Sequence, residues 1–279
     1  MATTTTTTAT VTTTDNTGEQ KPNLDAYKAH LKEEGWCVIP DLLDAEKLKE
    51  VNEKLWWARD ESERRGDKTY LDWLDPNASN VRIFYLPELH AIFREMLAHP
   101  TAIEMVKSVF GSNFLISNFT ANIARPGSKS MGLHSDQSLM CPNPWLEPWN
   151  LNVIWCLSDL YFENGATVFI PRSHNWTTTA DIPEEPEKLL QPFVAKAGSV
   201  VVMDGRLWHT SGANITKDVD RPLLFASYNT PFLRPQVNWA AGLSAETKAD
   251  LSDDMREWMG VNRDANLGVV RGVNDVFTM

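Results

Sequence analysis

The amino-acid sequence predicts one α+β domain built on a β-sandwich or barrel, and three observations carry that expectation. Helix-like segments fill the first part of the chain and a helical segment returns near its end. Between them, residues 114 to 233 form short β-rich runs separated by Gly, Pro and Asn punctuation. At 279 residues, 42% of them hydrophobic, the chain is long enough to bury one large core of this kind.

The opening "MATTTTTTATVTTTDNTGEQ" is polar and of low complexity, with nothing to bury, so residues 1–21 are expected to be a disordered tail and residues 22–279 a single domain. The tail has no arginine and none of the basic and apolar regions of a leader, which argues against a transit or signal peptide. "NLDAYKAHLKEEG" reads as a helix capped by Asn23 and stopped by Gly35, and "WCVIP" as a strand. "DAEKLKEVNEKLWWARDESERRGD" has helical spacing, its "LWWARDE" supplying core and solvated face. "VRIFYL" is a strand, and "ELHAIFREMLAH" and "AIEMVKSVF" are two helices, the second closed by Gly111. Five strands follow: "FLISNFTANIA", "NLNVIWCLSDLY", "ATVFIP", "SVVVMDG" and "LLFASYNTPF". "SAETKADLSDDMREWMG" reads as a terminal helix.

Composition narrows the function. A net charge of −11 argues against a nucleic-acid backbone or an anionic membrane as partner, and no apolar run reaches the length of a membrane span. Cys37, Cys141 and Cys156 are odd in number and form no CxxC, which indicates neither a zinc site nor a disulfide framework and suits a reduced, cytoplasmic setting. Eleven tryptophans can wall a core or a pocket, and together with the helical C-terminal segment they leave a homodimer open.

The chemistry centres on "GLHSDQ". If this stretch is extended, His134 and Asp136 point to one face, where an imidazole and a carboxylate can grip a metal, relay a proton or bond each other. In "GSVVVMDGRLWHTSGAN", His209 stands at the end of another apolar run, where a rolled sheet can return it to the first pair. Two imidazoles and one carboxylate on one face of an octahedral ion form the facial triad of non-heme Fe(II) oxygenases, with positions left for a cosubstrate and O₂. Arg221, at the start of the strand in "DRPLLFASY", is expected to be buried, and its fork matches a carboxylate. Thr167, in "ENGATVFIPRSH", places a hydroxyl that can bond the same distal carboxylate. "SLMCPNPWLEPWN", residues 138–150, is too proline-rich for regular structure, and its Leu139, Met140, Trp145 and Trp149 suggest an apolar lid or a loop packed on its own domain. Phe232 and Trp239 are further substrate candidates, and Trp208 is expected to pack against the metal site. His174 reads as structural, and His30, His90 and His99 fall in predicted helices without a role.

"HSDQ", "ENGATVFIPRSH", "WHTSGAN" and "RPLLFASY", in this order, resemble the motif series of the phytanoyl-CoA dioxygenase family, and "EEGWCVIPDLLDAEKL" resembles its opening. The likeness runs from about Gly35 to about Pro235. It implies a double-stranded β-helix (jelly-roll, cupin-like) core flanked by helices, and an Fe(II)- and 2-oxoglutarate-dependent oxygenase using O₂. By resemblance, His134, Asp136 and His209 are the iron ligands and Arg221, with Thr167, binds 2-oxoglutarate. The carboxylate at Asp136 implies oxygenation, desaturation or cyclisation rather than halogenation. The chain lacks a peroxisomal address and an evident basic cluster for coenzyme A phosphates. A free hydrophobic metabolite such as a terpenoid or alkaloid is therefore the expected substrate. An acyl-CoA substrate, a cupin-like metal enzyme without 2-oxoglutarate, and a non-catalytic binding module are the alternatives.

Overall fold

Alternation with a period of two along the strand-rich region produces two antiparallel sheets facing one another across a core. The computed structural model of the protein describes residues 12–14 and 20–261. Its first elements are β1 (Thr12–Thr14), β2 (Gln20–Pro22), α1 (Asp25–Glu34), β3 (Trp36–Ile39), α2 (Ala45–Arg65) and β4 (Asn80–Ile83). Next come α3 (Leu86–Leu89), α4 (Ala91–Leu97), α5 (Pro100–Phe110), β5 (Leu115–Ala124), α6 (Asp136–Met140) and β6 (Asn150–Cys156). Then follow β7 (Thr167–Phe169), β8 (Gln191–Pro192), β9 (Val200–Asp204), β10 (His209–Ser211), β11 (Arg221–Asn229), α7 (Trp239–Gly242), α8 (Ala245–Asp250) and α9 (Asp253–Trp258).

The large sheet has the order β3-β9-β6-β11-β5-β4 and the small one β10-β7-β8, while β1 pairs with β2. From β6 onward the chain passes back and forth between the two sheets, as a jelly roll requires. The outer face of the large sheet presents Val153 and Trp155 of β6, Val202 of β9 and Leu224 and Ala226 of β11 to the helices, where they join Leu55, Phe93 and Met105 in the main core. The inner face presents Ile154, Val201, Met203 and Leu223 to Phe169 and Phe193 beneath the small sheet. Every second residue of one strand thus serves each core.

Several elements differ from the sequence reading, each for a local reason. The segment read as one helix over 88–99 divides at His90, whose backbone is extended (φ −156°, ψ 148°) and whose ring accepts the Ile92 N–H to cap α4. His99 is likewise the residue before α5, with Pro100 in the first turn, so neither histidine lies inside a helix. The terminal helix divides at Leu251 and Ser252, because the Ser252 hydroxyl accepts the Met255 N–H and starts α9 afresh. His209 does not end the "SVVVMDG" strand: β9 stops at Asp204, and His209 opens β10 in the other sheet. No helix among the described residues is long and apolar enough to cross a membrane. Residues 1–11, 15–19 and 262–279 lie outside the described residues.

Candidate metal centre and its cavity

His134 and His209 face each other as one antiparallel pair, exchanging both backbone bonds: His134 N–H to His209 O at 3.0 Å and His209 N–H to His134 O at 2.7 Å. Cross-strand partners project to the same side, which brings the ring centroids to 4.5 Å. Asp136 arrives by a different route from the one expected. The chain is extended only through Ser135, whose hydroxyl accepts the Ser138 N–H and caps the short helix α6, and Asp136 is the first helical residue. The helical turn nonetheless returns its carboxylate to the imidazoles, with Oδ1 at 3.6 Å from His134 Nε2 and 4.0 Å from His209 Nε2. The three ligand atoms lie within 4.8 Å of one another.

Hydrogen bonding assigns each donor. His134 Nδ1 lies 2.8 Å from the Gly132 carbonyl and His209 Nδ1 2.9 Å from the Leu207 carbonyl. A carbonyl only accepts, so both Nδ1 atoms carry hydrogen and both Nε2 lone pairs face the centre. Asp136 Oδ2 accepts the Asn152 amide at 2.5 Å, leaving Oδ1 toward the imidazoles. Burial drives His209 toward its neutral, ligating form. Burial also acts to lower His134, but Asp136 beside it prevails and raises it. For Asp136, burial is outweighed by His209, His134 and Asn152, which bring the carboxyl down to about 2. With both imidazoles in their neutral, ligating form, two nitrogen donors and one ionised carboxylate suit a borderline divalent ion such as Fe(II) and leave half of an octahedron open.

These groups line a cavity of about 470 Å³ between the sheets. Thr167, first residue of β7, and Arg221, first residue of β11, line it too. Arg221 is 2% exposed; its Nε donates to Gly165 O at 3.0 Å and its Nη1 to Asn122 O at 3.3 Å. Gly165 presents that carbonyl from a backbone at φ +79°, and an added Cβ would meet Gly212 O and Asn214 N at 3.0 Å, so the Asn-Gly turn requires glycine. Among the described residues no carboxylate pairs with Arg221. Burial, then Arg82 nearby, bring its pKa down to about 10, which leaves it a buried cation awaiting an anion. Arg82 of β4 is already satisfied by Asp75 at 2.6 Å and by Asn122 Oδ1 at 3.1 Å.

The expected lid divides. Leu139 and Met140 line the cavity, but from α6, so residues 138–140 are helical despite the prolines that follow. Trp145 is 5% exposed and turned into its own loop: its indole donates to Cys141 O, its backbone N–H to Thr177 O, and its ring packs against Trp208. Trp208 packs edge-on against Trp145 and at a tilt against Trp176, and is not among the residues lining the cavity. Trp149 and the exposed Phe232 pack edge to face at 5.3 Å, and neither belongs to the cavity lining. Trp239 is buried on the helix side of the large sheet with its indole on Ile116 O. His174 is buried over Gly35, where a Cβ would come within 2.5 Å of its Nδ1, and is not part of the three-donor cluster.

The phytanoyl-CoA dioxygenase family profile matches residues 31–222. The dioxygenase af480 of Aspergillus fumigatus is 51% identical over 240 residues, covering 86% of this chain and 78% of that protein. The chain belongs to the phytanoyl-CoA dioxygenase family. Dioxygenase aneA of Aspergillus aculeatus is more distant, 28% identical over 75% of this chain and 73% of its own. Among solved structures, the epimerase SnoN in complex with Fe3+, alpha ketoglutarate and nogalamycin RO superposes with a TM-score of 0.60 at 18% identity, covering 76% of this chain and 86% of that one. HygX from Streptomyces hygroscopicus, with nickel, 2-oxoglutarate and hygromycin B bound, gives a TM-score of 0.60 at 15% identity, covering 76% and 89%. These likenesses establish the jelly-roll fold.

Residue-by-residue reading of the sequence missed Asn152, Asn122 and Arg82. A signal for the first two was present, since "NFTANI" and "NLNV" alternate polar and apolar residues and so mark one polar strand face. Nothing in "VRIFYL" marks Arg82, which becomes a cavity residue only through the pairing of β4 with β5.

Proposed function

We propose that the cavity is the active site of a non-heme Fe(II)- and 2-oxoglutarate-dependent dioxygenase acting on a small metabolite. His134 Nε2, His209 Nε2 and Asp136 Oδ1 hold the iron, and Arg221 with the Thr167 hydroxyl binds the distal carboxylate of 2-oxoglutarate. The observation that carries the reading is the pairing, in one cavity, of a three-donor cluster within 4.8 Å with a buried guanidinium that has no carboxylate of its own among the described residues. Bound iron, with 2-oxoglutarate and O₂, supplies the oxidising equivalents for attack on a substrate C–H bond. The chain's own residues do the rest. The Gly132 and Leu207 carbonyls fix both imidazoles in the ligating tautomer. Arg221 sets the cosubstrate's far end, so that orientation is settled before the substrate arrives. Phe225, Met131 and Met140 wall the space beside the ligands and exclude water.

The substrate reading is a hydrophobic free metabolite of the terpenoid or alkaloid kind. Leu74, Phe84, Leu139 and Met140 give the cavity its apolar side, while Asn118 and Gln236 offer hydrogen bonds. The cations in the lining are Arg82, taken by Asp75, and Arg221, kept for the cosubstrate, which offers nothing to coenzyme A phosphates. The solved neighbours that hold nogalamycin RO and hygromycin B agree with a bulky metabolite. Three free, buried cysteines suit the reducing cytoplasm.

Anaerobic titration of the metal-free protein with Fe(II) and then 2-oxoglutarate tests the assignment. A visible charge-transfer band is expected in the wild type, absent in His134→Ala and needing more 2-oxoglutarate in Arg221→Ala. Metal binding without that band would replace the reading by a cupin-like enzyme that does not use 2-oxoglutarate.

A further inference from the structure

Asp136 carries a second interaction that ligation does not require. Asn152, 3% exposed on the inner face of β6, donates Nδ2 to Asp136 Oδ2 at 2.5 Å. Only the nitrogen end of an amide can face a carboxylate so closely, which fixes the amide's orientation. That orientation is braced from behind. Asn150, two residues earlier on the same face, turns its Oδ1 to Asn152 Nδ2 at 3.5 Å. The Asn150 amide donates in turn to Ser227 Oγ at 2.7 Å, Asn229 Oδ1 at 2.8 Å and Tyr228 O at 3.3 Å. Gly205 presses on it so tightly that a Cβ there would come within 2.5 Å of Asn150 Oδ1. A buried amide ladder therefore runs from β11 through β6 to the carboxylate.

The other side of the contact is equally fixed. Gln137, fully buried beside Asp136, donates Nε2 to Glu147 O at 2.9 Å and accepts the Trp149 N–H at 2.8 Å, while its own N–H reaches Gly205 O at 2.9 Å. These bonds clamp α6 to the entrance of β6 across the base of the 141–149 loop. The Asn152–Asp136 bond thus joins two anchored elements.

We propose that Asn152 is a positioning residue for the metal centre: by occupying Oδ2 it makes Asp136 a one-oxygen ligand that presents Oδ1 to the ion. The proposal rests on the reading of His134, Asp136 and His209 as the ligands. An amide suits the task because it donates a hydrogen bond without a charge. A lysine or arginine there would neutralise the carboxylate that the ion needs, and an apolar residue would leave Oδ2 without its buried donor and free to swing onto the metal.

The test uses the full chain and Co(II) as an anaerobic visible probe, with Asn152→Leu and Asn152→Ala beside the wild type. Both variants lack the donor, but only alanine empties the volume. Co(II) affinity is expected to fall about 10- to 100-fold in both, the cost of removing an outer-shell partner, and the visible band to change shape as the second oxygen reaches the ion. The melting temperature of the metal-free protein separates this from a folding defect, and either variant that folds is sufficient. A folded variant that binds Co(II) with wild-type affinity and an unchanged band would overturn the proposal. So would a loss in Asn152→Ala that Asn152→Leu does not share, because that pattern follows volume rather than the hydrogen bond. Failure of the wild type itself to bind Co(II) would instead overturn the metal reading, and the proposal with it.

Discussion

The space between the two sheets is filled in one half and hollow in the other. On the β3 and β9 side, Phe169 stacks on Phe193 at 4.1 Å, Trp36 packs against both, and Val201 and Met203 are fully buried above them. On the β5 and β11 side, the corresponding inner positions hold Asn118, Thr120, Asn122, Arg221 and Ser227, and a cavity of about 470 Å³ takes the place of a core. The outer face of the same sheet makes no such distinction, since Val153, Trp155, Leu224 and Ala226 continue its apolar layer across both halves. Folding is thus secured by the outer layer and the filled half, which leaves the hollow half free to hold groups that packing alone would reject. Arg221 is the clearest of these. A buried cation without a carboxylate costs stability in the free protein and becomes favourable only when an anion arrives.

The largest way to break the comparison is to remove a proposed metal ligand. His209→Ala is expected to abolish turnover and to weaken Fe(II) binding by more than the about 10- to 100-fold that outer-shell partners cost, without unfolding the chain; metal titration and circular dichroism check both halves of the statement. In the filled half the effect should reverse. Phe193→Ala should lower the unfolding free energy by about 3–5 kcal/mol in urea, through loss of a fully buried ring, while the protein that remains folded keeps its apparent affinity for 2-oxoglutarate. Arg221→Leu sharpens the contrast. It should weaken 2-oxoglutarate binding by the equivalent of about 2–5 kcal/mol, read from KM or from the charge-transfer titration. The metal-free protein should melt no lower than the wild type, because the uncompensated charge has gone. A clear drop in melting temperature would show that Arg221 is structural. The smallest effect belongs to Leu139→Ala, at a side chain 71% exposed: stability within about 0.5 kcal/mol of wild type, with any change confined to substrate KM.

The sequence revealed the site unevenly. His134, Asp136, His209, Arg221 and Thr167 were all legible, because their motifs keep order and spacing, and the structure gathers them in one cavity. The route to the site was less legible. Two residues apart on a strand was the expected geometry for His134 and Asp136, yet a serine cap begins a helix between them. The apolar residues of the proline-rich segment 138–150 looked alike in sequence, but Met140 reaches the cavity whereas Trp145 is spent on Cys141 and Trp208. Asn152 could be recognised as polar on an alternating strand, but not as the partner of Asp136.

The sequence by itself determined most of the secondary elements, the alternation that gives each strand an inner and an outer face, and the identities of the candidate metal-binding and anion-binding side chains. These depend on local backbone preference and on residue chemistry, which are written residue by residue. The tertiary structure alone decided which inner faces meet a packed core and which meet a cavity. It also decided that His134 and His209 become cross-strand partners and that Asn152 caps Asp136. Those facts depend on pairing register between strands distant in the chain, where one residue of slip would turn every side chain to the opposite face.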